Sequence, residues 1–302
     1  LGVAARGLAM GAADIVPGVS GGTIAFITGI YEELLESLSS INLHLISILR
    51  KEGLKAAWEK LNGNFLVALF TGVLVSIFSL AKAIKYLLTE HPHLLWAFFL
   101  GLVVASIIYV GKQVKSWYAG NIVGLILAAA FAFYITLLPP LGTASNLWYI
   151  LLCGMIAICA MILPGISGSF ILLLLGAYQT VIGAVSELNF KLLLTFASGC
   201  VVGLVSFSRL LNWMFKNARD LTVAILTGFL IGSLNKLWPW KQNVELLYTH
   251  SDGRQDFLQT NVLPETFSKL PEGGEPQILI AIVLALVGFA LIFMMEQAAS
   301  RS

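Results

Sequence analysis

"DIVPGVSGGTIAFITGIY", residues Asp14 to Tyr31, sets Pro-Gly-Val-Ser-Gly-Gly in the middle of an otherwise apolar run. Proline removes a backbone donor and stops a helix, and glycine adopts conformations closed to other residues. A soluble loop would not be embedded in so much hydrophobic chain. The stretch therefore reads as a membrane helix interrupted at a fixed point.

The surrounding chain agrees. Of its 302 residues, 58% are hydrophobic and 11% charged, with a mean hydropathy of +0.88. A soluble domain carries about 25% charged residues, so this is an integral membrane protein. A formal net charge of +2 without a basic run excludes nucleic acid as a partner. Cys153, Cys159 and Cys200 all lie in apolar segments and fit neither a disulfide framework nor a zinc spacing. His91-Pro-His93 has no Cys or carboxylate cluster beside it, so neither a metal nor a cofactor is expected.

A spanning helix needs about 20 apolar residues. Clear spans are Phe65–Leu88, Leu94–Val110, Ile122–Leu138, Leu192–Phe215, Thr222–Leu237 and Ile278–Met295. Two further apolar regions, 2–38 and 147–187, are each broken midway by Pro-Gly-x-Ser-Gly into halves too short to cross alone. The loops at 39–62, 111–118 and 216–220 carry Lys and Arg, whereas 139–147 carries none. The positive-inside rule then places the basic loops, and both termini, in the cytoplasm. That holds only if each broken region enters and leaves on one side, the first from the cytoplasm and the second from outside.

The two broken regions repeat at an offset of 147. Pro17, Gly18, Ser20, Gly21, Ile24, Gly29 and Tyr31 match Pro164, Gly165, Ser167, Gly168, Ile171, Gly176 and Tyr178. About one identity would be expected from residue frequencies. At an offset of 127, Gly72, Val75, Ser79, Leu94, Ala97, Gly101 and Ser106 match Gly199, Val202, Ser206, Leu221, Ala224, Gly228 and Ser233. The fold expected is all-α integral membrane, an inverted-topology repeat with two re-entrant helical hairpins and about six full spans. Its parts are repeat 1 (1–118, with hairpin 2–38, an amphipathic segment 39–62 and two spans), a connecting span (119–145) and inverted repeat 2 (146–238). An extracytoplasmic segment (239–275) and a final span with a cytoplasmic tail (276–302) follow. Inverted repeats with broken helices are the architecture of secondary transporters, with substrate at the repeat interface.

The helix after each break offers unpaired N–H groups and a dipole that favour an anion. Ser20, Gly21, Gly22 and Thr23 in the first break, and Ser167, Gly168 and Ser169 in the second, form the expected cradle. Charges inside spans are functional hypotheses by default. Lys82 and Arg209 align across the repeats, each with an aromatic four residues on (Tyr86, Trp213), and are the expected phosphate partners. Asp14 and Glu32 are candidates for coupling to H⁺ or Na⁺, or for gating. No residue is expected to be catalytic.

"RGLAMGAADIVPGVSGGTIAFITGIYEELLESL" and "MILPGISGSFILLLLGAYQTVI" resemble the paired signatures of the bacterial polyprenyl-phosphate transporter family. The resemblance runs from Arg6 to Trp238. It implies a plasma-membrane protein that returns undecaprenyl phosphate from the outer to the cytoplasmic leaflet, where it is reused for envelope polymers. The expected partners are that lipid and the bilayer, and a homo-oligomer is compatible with the sequence. A more distant similarity is to the undecaprenyl-pyrophosphate phosphatase family, whose second motif reads Pro-Gly-x-Ser-Arg-Ser. Here Ser167 is followed by Gly168, and the acid-rich first motif is missing. Hydrolysis needs positioned acid–base groups and charge stabilisation, so the expectation is a transporter, not an enzyme. A phosphatase and a transporter of a soluble anion are the alternatives.

Overall fold

The computed structural model describes residues 2–15, 20–141, 146–249, 255–271 and 273–300. Pro17 and Gly18 of the first break, with Arg254 and Arg301, lie outside them. The protein is mostly helical. Helices α1 (Val3–Ile15), α2 (Gly21–Ile27) and α3 (Tyr31–Ser39) are followed by two short ones, α4 (Leu43–Lys51) and α5 (Leu54–Lys60). Then come α6 (Gly63–Glu90), α7 (Pro92–Gly111), α8 (Ala119–Leu137), α9 (Leu147–Ile162), α10 (Gly168–Leu174) and α11 (Tyr178–Ser186). α12 (Phe190–Asn217), α13 (Arg219–Ser233) and a 3₁₀ turn (Leu234–Leu237) precede a β-hairpin, β1 (Lys241–Thr249) and β2 (Gln255–Asn261). The short α14 (Pro264–Phe267) and α15 (Ile278–Ser300) end the chain.

Among the described residues, five stretches are long and apolar enough to cross a bilayer: Gly63–Leu80, Pro92–Gly111, Ala119–Leu137, Phe190–Asn217 and Arg219–Leu237. They coincide with five of the six expected spans. The sixth, Ile278–Met294, is apolar but shorter. The broken regions differ in detail from the expected helix pairs. Each has three pieces, because a second interruption follows seven residues after the first. Gly29 and Gly176 sit there at φ 75° and 64°, a conformation glycine adopts at no cost to a side chain. α10 and α11 meet at 111° across that turn.

Small residues let the helices touch backbone to backbone, as membrane helices do without a hydrophobic drive between them. Gly72 of α6 lies on the Ala4 carbonyl of α1, and Gly199 of α12 lies on the Leu151 carbonyl of α9. Gly101 of α7 lies on Ala285 of α15, and Gly228 of α13 on Leu125 of α8. Ala4 and Leu151, 147 apart, thus meet Gly72 and Gly199, 127 apart. Gly7 and Gly11 approach Leu69 and Val73 in ascending order, so α1 and α6 run parallel; Leu151 and Met155 approach Gly199 and Gly203 likewise.

The 239–275 segment holds the one strand pair among the described residues, and an all-helical expectation did not contain it. β1 and β2 pair antiparallel from Lys241 opposite Asn261, with irregularities near Glu245 and Tyr248. Two indole N–H groups tie this lobe down: Trp238 donates to the Val262 carbonyl (2.8 Å) and Trp240 to that of Pro276 (2.9 Å).

Candidate functional site

The two breaks meet. Ser20 caps α2 by accepting the Gly22 N–H (3.1 Å), and its hydroxyl points to the carbonyls of Met161 (3.1 Å) and Leu163 (3.3 Å) at the end of α9. The Gly165 N–H donates to Thr23 Oγ1 at 2.9 Å, and the Tyr31 hydroxyl donates to the Ile162 carbonyl at 3.1 Å. Ser20, Thr23 and Tyr31 are each 1% exposed. These three bonds across the breaks are worth about 1 kcal/mol each. Their sum is of the order of the gap between thermally exchanging conformations.

The halves of the cradle are occupied unequally. In the first, the Gly21 N–H donates to Asp14 Oδ1 (2.7 Å), the Gly22 N–H to Ser20, and the Thr23 N–H to the Ser20 carbonyl (2.9 Å). Every first-turn donor of α2 is spoken for. In the second, Ser167 and Ser169 share a hydrogen bond at 2.8 Å, and Ser167 caps no backbone N–H of α10. Ser167 is buried and Ser169 exposed.

A small cavity of about 10 Å³ opens beside Gly165, Ile166 and Ser167, bounded by Thr136, Phe170, Ser233 and Lys236. That holds about one water and no phosphate. The Lys236 ammonium stands 4.5 Å from the centre of the Phe170 ring. Sequence reading missed Lys236, although it lies inside the stretch assigned as the span Thr222–Leu237. A charge within an apolar segment was the available signal.

Arg209 and Lys82, the expected phosphate partners, are not among the residues that line this cavity. Arg209 is exposed and donates to the Ile41 carbonyl at 2.8 Å. It is the last rung of a polar ladder that sets α12 and the first residue of α13 antiparallel to α3 and the turn after it. Arg219 meets Glu32 (3.0 Å), Lys216 meets Glu36 (3.4 Å), and Asn212 donates to Ser39 (2.8 Å). The Tyr31 end of α3 reaches the second break and the Ile41 end does not, which is why Arg209 stands off. Lys82 is exposed on α6. Glu32 is ion-paired, with both side chains about half exposed. Asp14 binds Gly21, and no ion pair joins it to Arg6 among the described residues.

The second break thus brings a buried serine, Ser167, and the cation of Lys236 to one small cavity, a pairing suited to an anion. The family model described as undecaprenyl phosphate translocase-like matches residues 10–255. A polyprenyl-phosphate transporter of Vibrio cholerae is 46% identical over 296 residues, covering 98% of this chain and 96% of its own. One of Staphylococcus aureus is 33% identical over 253 residues, covering 78% of this chain and 84% of its own. No solved structure matches the chain. On this evidence the chain, a multi-pass membrane protein, belongs to the undecaprenyl phosphate translocase-like family.

Proposed function

We propose that this protein carries a polyprenyl phosphate across the bacterial plasma membrane, from the outer to the cytoplasmic leaflet, without cleaving it. The observation that carries the reading is the junction of the two breaks with Lys236 beside it. The phosphate head binds at the second break, against Ser167, Ser169, the N–H of Gly168 and the Lys236 ammonium. The prenyl tail stays in lipid, so the protein shields only the charge whose bare passage would be prohibitive. The described cavity is too small for the head. Binding therefore requires the first break, from Ser20 to Thr23, to withdraw from the end of α9.

The two broken regions are re-entrant and inverted in this reading. Four contacts support it. Glu33 at the start of α3 accepts from Asn62 at the start of α6 (2.8 Å). Glu32 pairs with Arg219, whose neighbour Asp220 accepts from Ser116 (3.0 Å), so the first region returns to the end that carries the basic loops. The end of α10 instead meets the loop after α8, where the Leu141 N–H donates to the Leu174 carbonyl (2.7 Å). With the basic loops cytoplasmic, the hairpin lobe and Lys236 lie toward the outside. Rocking of one repeat against the other alternates access. Asp14 is the coupling group: taking up H⁺ or Na⁺ weakens its hold on Gly21 and frees α2 to move. The Glu32–Arg219 pair is the cytoplasmic latch. Arg209 and Lys82 act at opposite mouths of the path, not on one bound phosphate.

Translocation of a fluorescent polyprenyl phosphate in proteoliposomes tests the reading. Lys236→Met and the pair Ser167→Ala/Ser169→Ala should each slow it at least tenfold, and unchanged rates would remove the site. The phosphatase alternative is tested by phosphate release from undecaprenyl pyrophosphate, for which the expectation is none.

A further inference from the structure

A second cavity, about 320 Å³, lies away from the breaks, under the β-hairpin lobe. Ligand pockets begin at about this size. Trp96 and His93 of α7 form its floor, and Lys241, Gln242 and Asn243 of β1 with Gln259 of β2 form its polar wall. Lys241 is held in place from two sides. Its ammonium stands 3.9 Å from the centre of the Trp96 ring and donates to the Lys236 carbonyl at 2.7 Å. One of its three donors is thereby used, and no carboxylate stands among the described residues lining the cavity. A ring face and a carbonyl offset only part of the cost of drying an ammonium.

The position of this cavity gives it a use. Lys241 lines the outer cavity and Lys236 lines the small one at the second break, and the first lysine is bonded to the backbone of the second. The segment from Leu234 to Trp240 is therefore a common wall between the two. We propose that the outer cavity is a second anion site, which captures a phosphate monoester through Lys241 before the head passes to Lys236. The inference rests on the substrate and orientation given under Proposed function. Burial, and next the charge of Lys236, hold the Lys241 pKa well below its usual 10.5. A bound phosphate sets a negative charge against an ammonium that meets no carboxylate among the described lining residues.

The test uses the full chain in nanodiscs, with Gln242→Cys as a reporter for an impermeant maleimide. Geranyl phosphate, a short prenyl monophosphate, should slow labelling at least fivefold. Lys241→Met should abolish that protection, and Lys241→Arg should restore it to within about threefold. Protection that survives Lys241→Met overturns the proposal. If Lys241→Met unfolds the protein, Trp96→Leu replaces it, with at least a threefold weakening of protection expected and no weakening overturning the site. Inorganic phosphate and geraniol are the comparison arms. Equal protection by inorganic phosphate would assign the cavity to free phosphate and overturn capture of the lipid, and protection by geraniol would overturn anion recognition. Protection is read without transport, so its failure leaves the translocation reading standing. Loss of translocation in Lys236→Met is judged separately.

Discussion

Substituting Gly22 by alanine should force the two breaks apart. A Cβ at that position would stand 2.5 Å from the Ile162 carbonyl oxygen and 3.2 Å from that of Met161. Ordinary contact begins at 3.4 Å, so the end of α9 must retreat by about 0.9 Å (3.4 − 2.5). Both neighbours are backbone, held by α9, and cannot swing aside as a side chain would. Overpacking of this kind costs about 1–3 kcal/mol. Alanine is the better helix former by up to about 1 kcal/mol, but α2 is helical whether the breaks touch or separate, so that gain cancels between the two states. The contact should therefore open about 5- to 150-fold more often, at 1.4 kcal/mol per factor of ten. The Gly165 amide reports it, because its proton is protected by Thr23 Oγ1 across the junction. Hydrogen exchange at that amide should accelerate by the same factor. Gly183→Ala on α11, where a Cβ meets nothing within 4 Å, is the control and should leave it unchanged. Exchange in Gly22→Ala within twofold of the parent would refute the junction.

Tyr31→Phe removes the donor to Ile162 in a fully buried setting, which costs about 1 kcal/mol. Its thermal midpoint should fall by about 2–4 °C, and an unchanged midpoint would count against that bond. The Glu32–Arg219 pair is about half exposed, so a double-mutant cycle should give a coupling of about 0–1 kcal/mol that fades in high salt. A larger coupling, insensitive to salt, would contradict a latch at the surface. Lys241 has its folded pKa depressed by burial, so the unfolded chain binds its proton more readily. Its contribution to stability is complete above its usual pKa of 10.5 and is lost as pH falls toward the depressed folded value. The midpoint of the parent should therefore drop relative to Lys241→Met between pH 10.5 and 7. Parallel curves would show that Lys241 is not dried.

What could be read from the chain, and what could not, follows from the range of the forces involved. The spans were legible because hydropathy over 20 residues is a local sum. The break positions were legible because proline and glycine act on their own backbone: α2 begins at Gly21 and α10 at Gly168. The contact between the breaks was expected from the repeat, but its bonds were not, since a serine hydroxyl 141 residues from Met161 carries no local mark of its partner. The partner of Arg209 was hidden for the same reason. With no acid near it in sequence it looked free of protein contacts, and the structure gives it the Ile41 carbonyl, 168 residues away. Lys236 and Lys241 were overlooked because they sit at a span end, where snorkelling is the ordinary fate of lysine. The ring faces of Phe170 and Trp96 that hold them come from distant segments.

The unequal state of the two breaks is itself written in the positions where the repeats disagree. Asp14 aligns with Met161, so Gly21 has a carboxylate to bind and its counterpart Gly168 has none. Thr23 aligns with Phe170, so one site accepts the Gly165 N–H while the other presents a ring to a cation. Gly22 aligns with Ser169, because only glycine fits against the Ile162 carbonyl, whereas Ser169 is exposed and bonded to Ser167. Each difference adds a protein partner or a close backbone contact to the first break that the aligned position of the second does not have. A perfectly symmetric repeat would spend its donors alike on both sides. If the aligned acid sets this difference, exchanging Asp14 and Met161 should reverse which break exchanges its amide protons faster.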